Sequence, residues 1–195
     1  MERKPEIIVF AGANGSGKST ITGWFQLPMD YINADDIKRS IHCTDIEAAK
    51  TAERLREEHL EQNKDFAFET VLSTERNLNL LKRAKAKGYF IRCIYVITAS
   101  PDINVIRVQS RVALGGHDVP EEKIINRYYR CLDLIKNVVP VCDVCNIYDN
   151  SGDTPIRIFK KRKNAFFYEE CEDWLYEDIV ELTGINNITE YKLNQ

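Results

Sequence analysis

Gly12-Ala13-Asn14-Gly15-Ser16-Gly17-Lys18-Ser19 follows the spacing G-x-x-x-x-G-K-[ST]. That pattern does phosphate chemistry. Its glycines let the backbone curl so that successive N–H groups meet phosphate oxygens. A helix opening directly behind the loop adds unpaired N–H groups and a positive dipole end. Lys18 supplies a mobile charge for β- and γ-phosphates, the Ser19 hydroxyl suits magnesium, and Thr20 sets a second hydroxyl alongside. Gly12 through Thr20 therefore predict a site for a nucleoside triphosphate with Mg2+. The competing reading, a chance glycine-rich turn, must explain the full register together with a buried strand before it and a helix after it.

Acids and arginines elsewhere suit the same chemistry. In open α/β sheets, ligands bind beyond the carboxyl ends of the strands. Two predicted strand ends carry acids: Asp35 and Asp36 after Asp30–Asn33, and Glu69, followed by Thr70, in Phe66–Thr70. Phosphoryl transfer to an alcohol needs the hydroxyl held in line and its proton accepted. Asp35 is the candidate base and a candidate to steady magnesium through water; a helix cap is its alternative. Asp36 reads as a helix-start residue. Glu69 is a candidate to orient the acceptor or the metal's water, and Thr70 joins it as an acceptor contact. An acid ending an apolar strand is unusual unless paired or functional.

Arg107 and Arg111 share a helix face, the pair Gly115-Gly116 follows, and Arg127 lies on the next predicted helix. Arginine forks stabilise charge developing on a transferred phosphoryl group. Arg111 and Arg127 are the favoured charge stabilisers. For Arg107 and Arg130 a solvated role serves equally well. His117 reads either as a turn residue or as a phosphate or acceptor contact, and His42 and His59 as surface. Residues 107–130 look like a small helical lid hinged at the glycine pair.

These residues need a scaffold. Predicted strands are Glu6–Ala11, Asp30–Asn33, Phe66–Thr70, Tyr89–Thr98, Val141–Tyr148 and Pro155–Phe159. Predicted helices are Lys18–Phe25, Asp45–Lys64, Glu75–Lys87, one opening at Ser100-Pro101, one from Pro120 to about Val138, and one over Ala165–Thr183. Lys160–Lys163 reads as a solvated turn, and the polar tail after Gly184 as a fraying end. The alternation predicts an α/β fold with a parallel sheet of five or six strands covered on both faces. The 195 residues read as a single domain, 1–195.

Composition narrows the partners. With 27 basic and 30 acidic residues the net charge is −3, which argues against a nucleic-acid coat and against a polybasic membrane protein. No leader or membrane span is read, and the six cysteines are expected as reduced thiols in a cytoplasmic protein. Cys142-x-x-Cys145 lacks a second cysteine or histidine pair, so buried core thiols are preferred to zinc.

In order, Gly12–Thr20, Ile32-Asn33-Ala34-Asp35-Asp36-Ile37-Lys38, Phe68-Glu69-Thr70, and Arg111 through Gly115-Gly116-His117-Asp118-Val119-Pro120 to Arg127 resemble the zeta-toxin-like phosphate-loop kinases. Lys87-Gly88-Tyr89 and Tyr148-Asp149-Asn150-Ser151 extend the likeness, which spans about residues 6–151. The resemblance implies a three-layer, adenylate-kinase-like fold and transfer of the γ-phosphate of ATP, with Mg2+, to a hydroxyl. In zeta toxins that hydroxyl belongs to a nucleotide sugar. It implies Lys18 and Ser19 on phosphate and metal, Asp35 as base, Arg111 as charge stabiliser and Glu69 as a site acid. The second lid arginine of the toxins has no clean counterpart; His117 or Arg127 takes that place. An antitoxin-like protein partner is not indicated by the sequence. The alternatives are a P-loop ATPase driving a protein partner and a polynucleotide 5′-kinase, the latter disfavoured by the acidic balance.

Overall fold

The computed structural model describes residues 3–191. In chain order the elements are β1 Glu6–Ala11, α1 Lys18–Thr22, β2 Asp30–Ile32, α2 Ala34–Ile41, α3 Asp45–Glu61, β3 Phe66–Thr70, α4 Glu75–Ala86, β4 Phe90–Ile97, α5 Pro101–Ala113, α6 Glu121–Val141, β5 Val144–Asp149, β6 Ile156–Arg162, β7 Ala165–Tyr168, α7 Tyr176–Thr183 and β8 Thr189–Glu190. They form one sheet in the order β2-β3-β1-β4-β5-β6-β7-β8. The first five strands are parallel, as expected.

Period-two alternation explains the layers. Ile7, Val9 and Ala11 face a large core shared with α3, α4, α6 and α7, whereas Ile8 and Phe10 face a smaller one with Ile21, Ala67, Ile94 and Val96. Local signals start α3 and α5 where the sequence placed them. Thr44 and Glu47 form a reciprocal capping box on α3. Ser100 caps α5 with Pro101 in its first turn. Val105, Val108, Val119 and Ile124 make a third small cluster between α5 and the start of α6. From Tyr128 onward, α6 buries its side chains in the large core instead.

The strand count and the all-parallel sheet require correction. Among the described residues the sheet has eight strands, and β5–β6 and β6–β7 pair antiparallel, with β8 parallel to β7. The expected helix over Ala165–Thr183 opens as a strand instead. Lys163 turns at φ 56°, and Ala165–Tyr168 folds back on β6, with Phe166 stacked on Phe159 at 6.4 Å between centroids. Only Tyr176–Thr183 is helical.

Lys160–Lys163 is not a solvated turn either. It completes β6, and buried Lys161 donates to the carbonyls of Val139 at 2.8 Å and Pro140 at 3.1 Å. Those bonds satisfy carbonyls in the last turn of α6, which runs through Pro140 to Val141, past the expected end at Val138. Thr189–Glu190 pairs with β7, so the tail after Gly184 is ordered at least that far; residues 192–195 lie outside the described residues. His59 is not a surface residue. Its Nδ1 bonds the Leu55 carbonyl at 2.7 Å, its Nε2 lies 2.9 Å from Asp30 Oδ2, and its ring meets Phe66 edge-on. Among the described residues, no helix is long and apolar enough to cross a membrane.

Candidate active site

The loop between β1 and α1 is braced from two sides. Gly15 has φ 80°, and a Cβ there would lie 2.4 Å from the Asn104 carbonyl oxygen. Gly17 has φ 88°, and its Cβ would meet Asn150 Nδ2 at 2.1 Å. Only glycine fits both the left-handed backbone and these approaches. The same two asparagines hold the loop. Asn104 Nδ2, on fully buried Asn104 of α5, donates to the Asn14 carbonyl at 2.7 Å, while its Oδ1 accepts from the Thr98 hydroxyl. Asn150, just past β5, donates from Nδ2 to the Ser16 carbonyl at 2.8 Å. Arg107 in turn fixes that corner, donating to the carbonyls of Asn150 at 2.7 Å and Ser151 at 3.3 Å. Arg127 Nη1 donates to Asn14 Oδ1 at 2.8 Å.

Lys18 opens α1 and is 8% exposed. Its Nζ donates to the Ala13 carbonyl at 2.9 Å and stands 4.0 Å from Glu69 Oε1. Burial pulls its pKa below the ordinary lysine value; Glu69 works against that pull. A buried ammonium with one carbonyl partner and a carboxylate at the edge of ion-pair range has donor capacity left for an anion.

Glu69 gathers the ends of β2 and β3. Its Oε2 accepts from the Tyr31 hydroxyl at 2.9 Å and from Asn33 Nδ2 at 3.5 Å, and both its oxygens lie 3.3 Å from Ser19 Oγ. Burial, and then Glu69, raise the Tyr31 phenol well above its usual pKa, so this hydroxyl keeps its proton and donates. The Ser19 hydroxyl and the Glu69 carboxylate are hard oxygen donors side by side, a set that fits Mg2+.

A cleft of about 490 Å³ opens over these groups, and its lining includes Lys18, Ser19, Asp35, Glu69, Thr70 and Arg111. Asp35 sits in the first turn of α2, where Asn33 is the cap and accepts from the Asp35 N–H at 2.8 Å. The cap role therefore falls to Asn33, and the Asp35 carboxylate faces the cleft as lining. Asp36 lies in the same turn and pairs with Arg39. Thr70 Oγ1 accepts from the Leu72 N–H at 3.0 Å and from Asn77 Nδ2 at 2.7 Å, which fixes the corner after β3.

Of the favoured candidates beyond the phosphate loop, His117 and Arg127 stand outside the cleft lining. His117 is half exposed, with Nε2 3.9 Å from Asp45 Oδ2, and its carbonyl accepts from Arg111 at 3.1 Å. Arg127 touches Asn14 from behind the loop, and desolvation lowers its pKa. The sequence reading missed Asn104, Thr98, Tyr31 and Asn33 as site-building residues and left Asn150 and Arg107 undecided. A signal existed for Asn104: it is a polar residue beside Val105 and Val108 on the buried face of α5. Asn150 follows a strand end in Asp149-Asn150-Ser151-Gly152, where a turn explains the residue types equally well.

The chain matches the Zeta toxin family model over residues 1–164. It is 32% identical over 127 residues, 62% of this chain and 91% of the relative, to an uncharacterised protein of Haemophilus influenzae. A chain from the PezAT chromosomal toxin–antitoxin system of Streptococcus pneumoniae superposes with a TM-score of 0.57 at 17% identity, covering 79% of this chain and 72% of that one. A chain of the AvrRxo1-ORF1:-ORF2 complex with ATP superposes with a TM-score of 0.68 at 14% identity, covering 92% of this chain. The match spans 63% of that longer chain. These structural likenesses establish a shared P-loop kinase fold. Kinases of the zeta-toxin group use ATP with Mg2+, and Gly12–Thr20 with Glu69 present the donors that both need.

Proposed function

Because the chain belongs to the zeta toxin family, we propose that it is a kinase moving the γ-phosphate of ATP to a hydroxyl of a small molecule, with nucleotide sugars as the first acceptor class to test. One observation carries this reading: two carboxylates, Asp35 and Glu69, line the same cleft as Lys18 and Ser19. A nucleotide-binding switch has no need of a second, exposed carboxylate across from the phosphate loop.

Each residue has a task in this scheme. The loop N–H groups and Lys18 bind the triphosphate. Ser19 and Glu69 would hold Mg2+, which would supply charge neutralisation on the phosphates. Glu69 also orients the acceptor side of the cleft, with Thr70 beside it. Asp35 accepts the proton of the acceptor hydroxyl as its oxygen bonds to the γ-phosphorus and the bond to the β-phosphate oxygen breaks, releasing ADP. Arg111 offsets the charge on the transferring group. Arg127 supports it indirectly, by fixing the Asn14 side chain. The whole chain serves as one domain, with the α5–α6 turn, His117 included, as the lid over the acceptor.

The test uses γ-labelled ATP with a metabolite pool and purified nucleotide sugars, read by mass spectrometry. A phosphorylated acceptor, absent with the Asp35→Asn variant, is expected. Label appearing only as free phosphate overturns the kinase reading in favour of an ATPase. Label appearing on an oligonucleotide 5′ end overturns the small-molecule assignment.

A further inference from the structure

Three cysteines from separate stretches of chain meet in the core. Cys93 on β4 and Cys145 on β5 are registered opposite one another, and Cys142 caps the C-terminal end of α6. Their sulfurs all lie within 4.8 Å of one another. Cys93 and Cys145 are fully buried and Cys142 is 2% exposed. The sequence showed a single C-x-x-C; the fold adds the third thiol through strand pairing.

The framework around the sulfurs is fixed by other bonds. Asp143, between Cys142 and Cys145, accepts from the Ile91 N–H at 2.9 Å and from Lys85 Nζ at 2.6 Å. Its own N–H donates to the Ile91 carbonyl at 2.8 Å. The thiols are therefore held in place without contributing to that anchorage.

A buried cation stands beside them. Lys161 on β6 is registered opposite Cys145, is 8% exposed, and donates only to carbonyls among the described residues. Among those residues no carboxylate lies within ion-pair distance of it. An ammonium taken out of water without a counter-charge is costly. Thiolate beside it removes that cost.

We propose that Cys93, Cys142 and Cys145 bind one soft d10 cation of the Cu(I) type through three thiolates, with Lys161 offsetting the excess negative charge. Thiolate sulfur selects soft cations over Mg2+ or Ca2+. The group contains no histidine or carboxylate, so the donor set is sulfur alone. An equilateral triangle at the 4.8 Å limit has its centre about 2.8 Å from each sulfur, so a shift of roughly half an ångström per sulfur reaches the metal–thiolate bond length of roughly 2.3 Å. On binding, three S–H protons leave to solvent and three metal–sulfur bonds form, with no change of oxidation state.

The site is closed, so loading accompanies folding. The reduced full-length chain is refolded anaerobically with one equivalent of Cu(I), or with Cd(II) as a spectroscopic probe, beside a metal-free control. Native mass spectrometry is expected to show one ion per chain, X-ray absorption a shell of three sulfurs, and thermal melting a raised midpoint. Cys93→Ala and Cys145→Ala are each expected to weaken binding at least about 100-fold, whereas Cys43→Ser and Cys171→Ser, outside the cluster, leave it unchanged. If the core variants fail to fold, the wild-type measurements still decide. A nitrogen or oxygen shell, binding lost in Cys43→Ser or Cys171→Ser, or a metal-independent melting midpoint overturns the site. None of these readouts depends on kinase activity.

Discussion

The Asn150 Nδ2 that donates to the Ser16 carbonyl at 2.8 Å is the same atom that a Cβ on Gly17 would meet at 2.1 Å. One amide therefore both holds the phosphate loop and forbids a side chain at its last glycine. Asn150→Ala leaves the Ser16 carbonyl without this donor, at a cost of about 1–3 kcal/mol. A lower melting midpoint and weaker ATP binding by calorimetry are expected. Gly17→Ala is expected to abolish binding. In the double variant the side-chain clash is gone but the left-handed backbone remains, worth about 1–2 kcal/mol. Partial recovery of ATP affinity in the double variant is thus expected, a non-additivity that independent sites would not show.

Lys18 predicts opposite pH trends for binding and stability. Its pKa in the folded chain is below 10.5, the ordinary value. Between the folded pKa and 10.5 the unfolded chain holds this proton more tightly. Stability from this one group therefore rises with pH across that window and is flat below it. ATP affinity falls over the same window, because the neutral amine no longer attracts phosphate. Parallel melting and calorimetric titrations, from neutral pH upward, should show both slopes in the native chain and neither from this group in Lys18→Met.

Asp35→Asn keeps size and hydrogen-bonding capacity but cannot accept a proton. Turnover is expected to fall roughly 10²–10⁴-fold, the range for loss of a general base. ATP affinity should stay as it was, because Asp35 makes no bond to the phosphate loop among the described residues. A matching loss of ATP affinity in calorimetry would instead place Asp35 on the nucleotide or its metal.

Glu69 and Tyr31 separate metal holding from positioning. Glu69→Gln should raise the Mg2+ concentration for half-maximal activity severalfold, because the carboxylate beside Ser19 has become a neutral amide. Tyr31→Phe leaves the charge and removes only the 2.9 Å hydrogen bond to Oε2. Its expected effect on Mg2+ dependence is smaller, with the main loss in turnover. Magnesium titrations of steady-state activity distinguish the two.

The phosphate loop was legible in the sequence because its requirements are local: glycines for backbone, a lysine and a hydroxyl at fixed offsets. Asp35 and Glu69 were legible by a rule about strand ends rather than by spacing. Asn104 and Asn150 were not, because each serves a loop carbonyl 90 and 134 residues away in the chain. Ala165–Tyr168 was misread for a similar reason. Four residues with three aromatics fit a helix or a strand, and the pairing with β6 decides. Lys161 looked solvated as part of a basic run, yet its ammonium caps a helix end that only the tertiary fold brings near.

The path of α6 sets the two arginines apart. Its first turns pack with α5 through Ile124, while its remainder, from Tyr128 on, is embedded in the large core. At 1.5 Å per residue it is a beam about 30 Å long, clamped at its far end. Arg127 lies next to the clamped portion and is tied to Asn14, so it works as a stationary post. Arg111 lies on α5, before the Gly115-Gly116 bend, and lines the cleft directly. In the proposed reaction Arg111 therefore offers its charge within the cleft, whereas Arg127 acts from outside the lining, through Asn14.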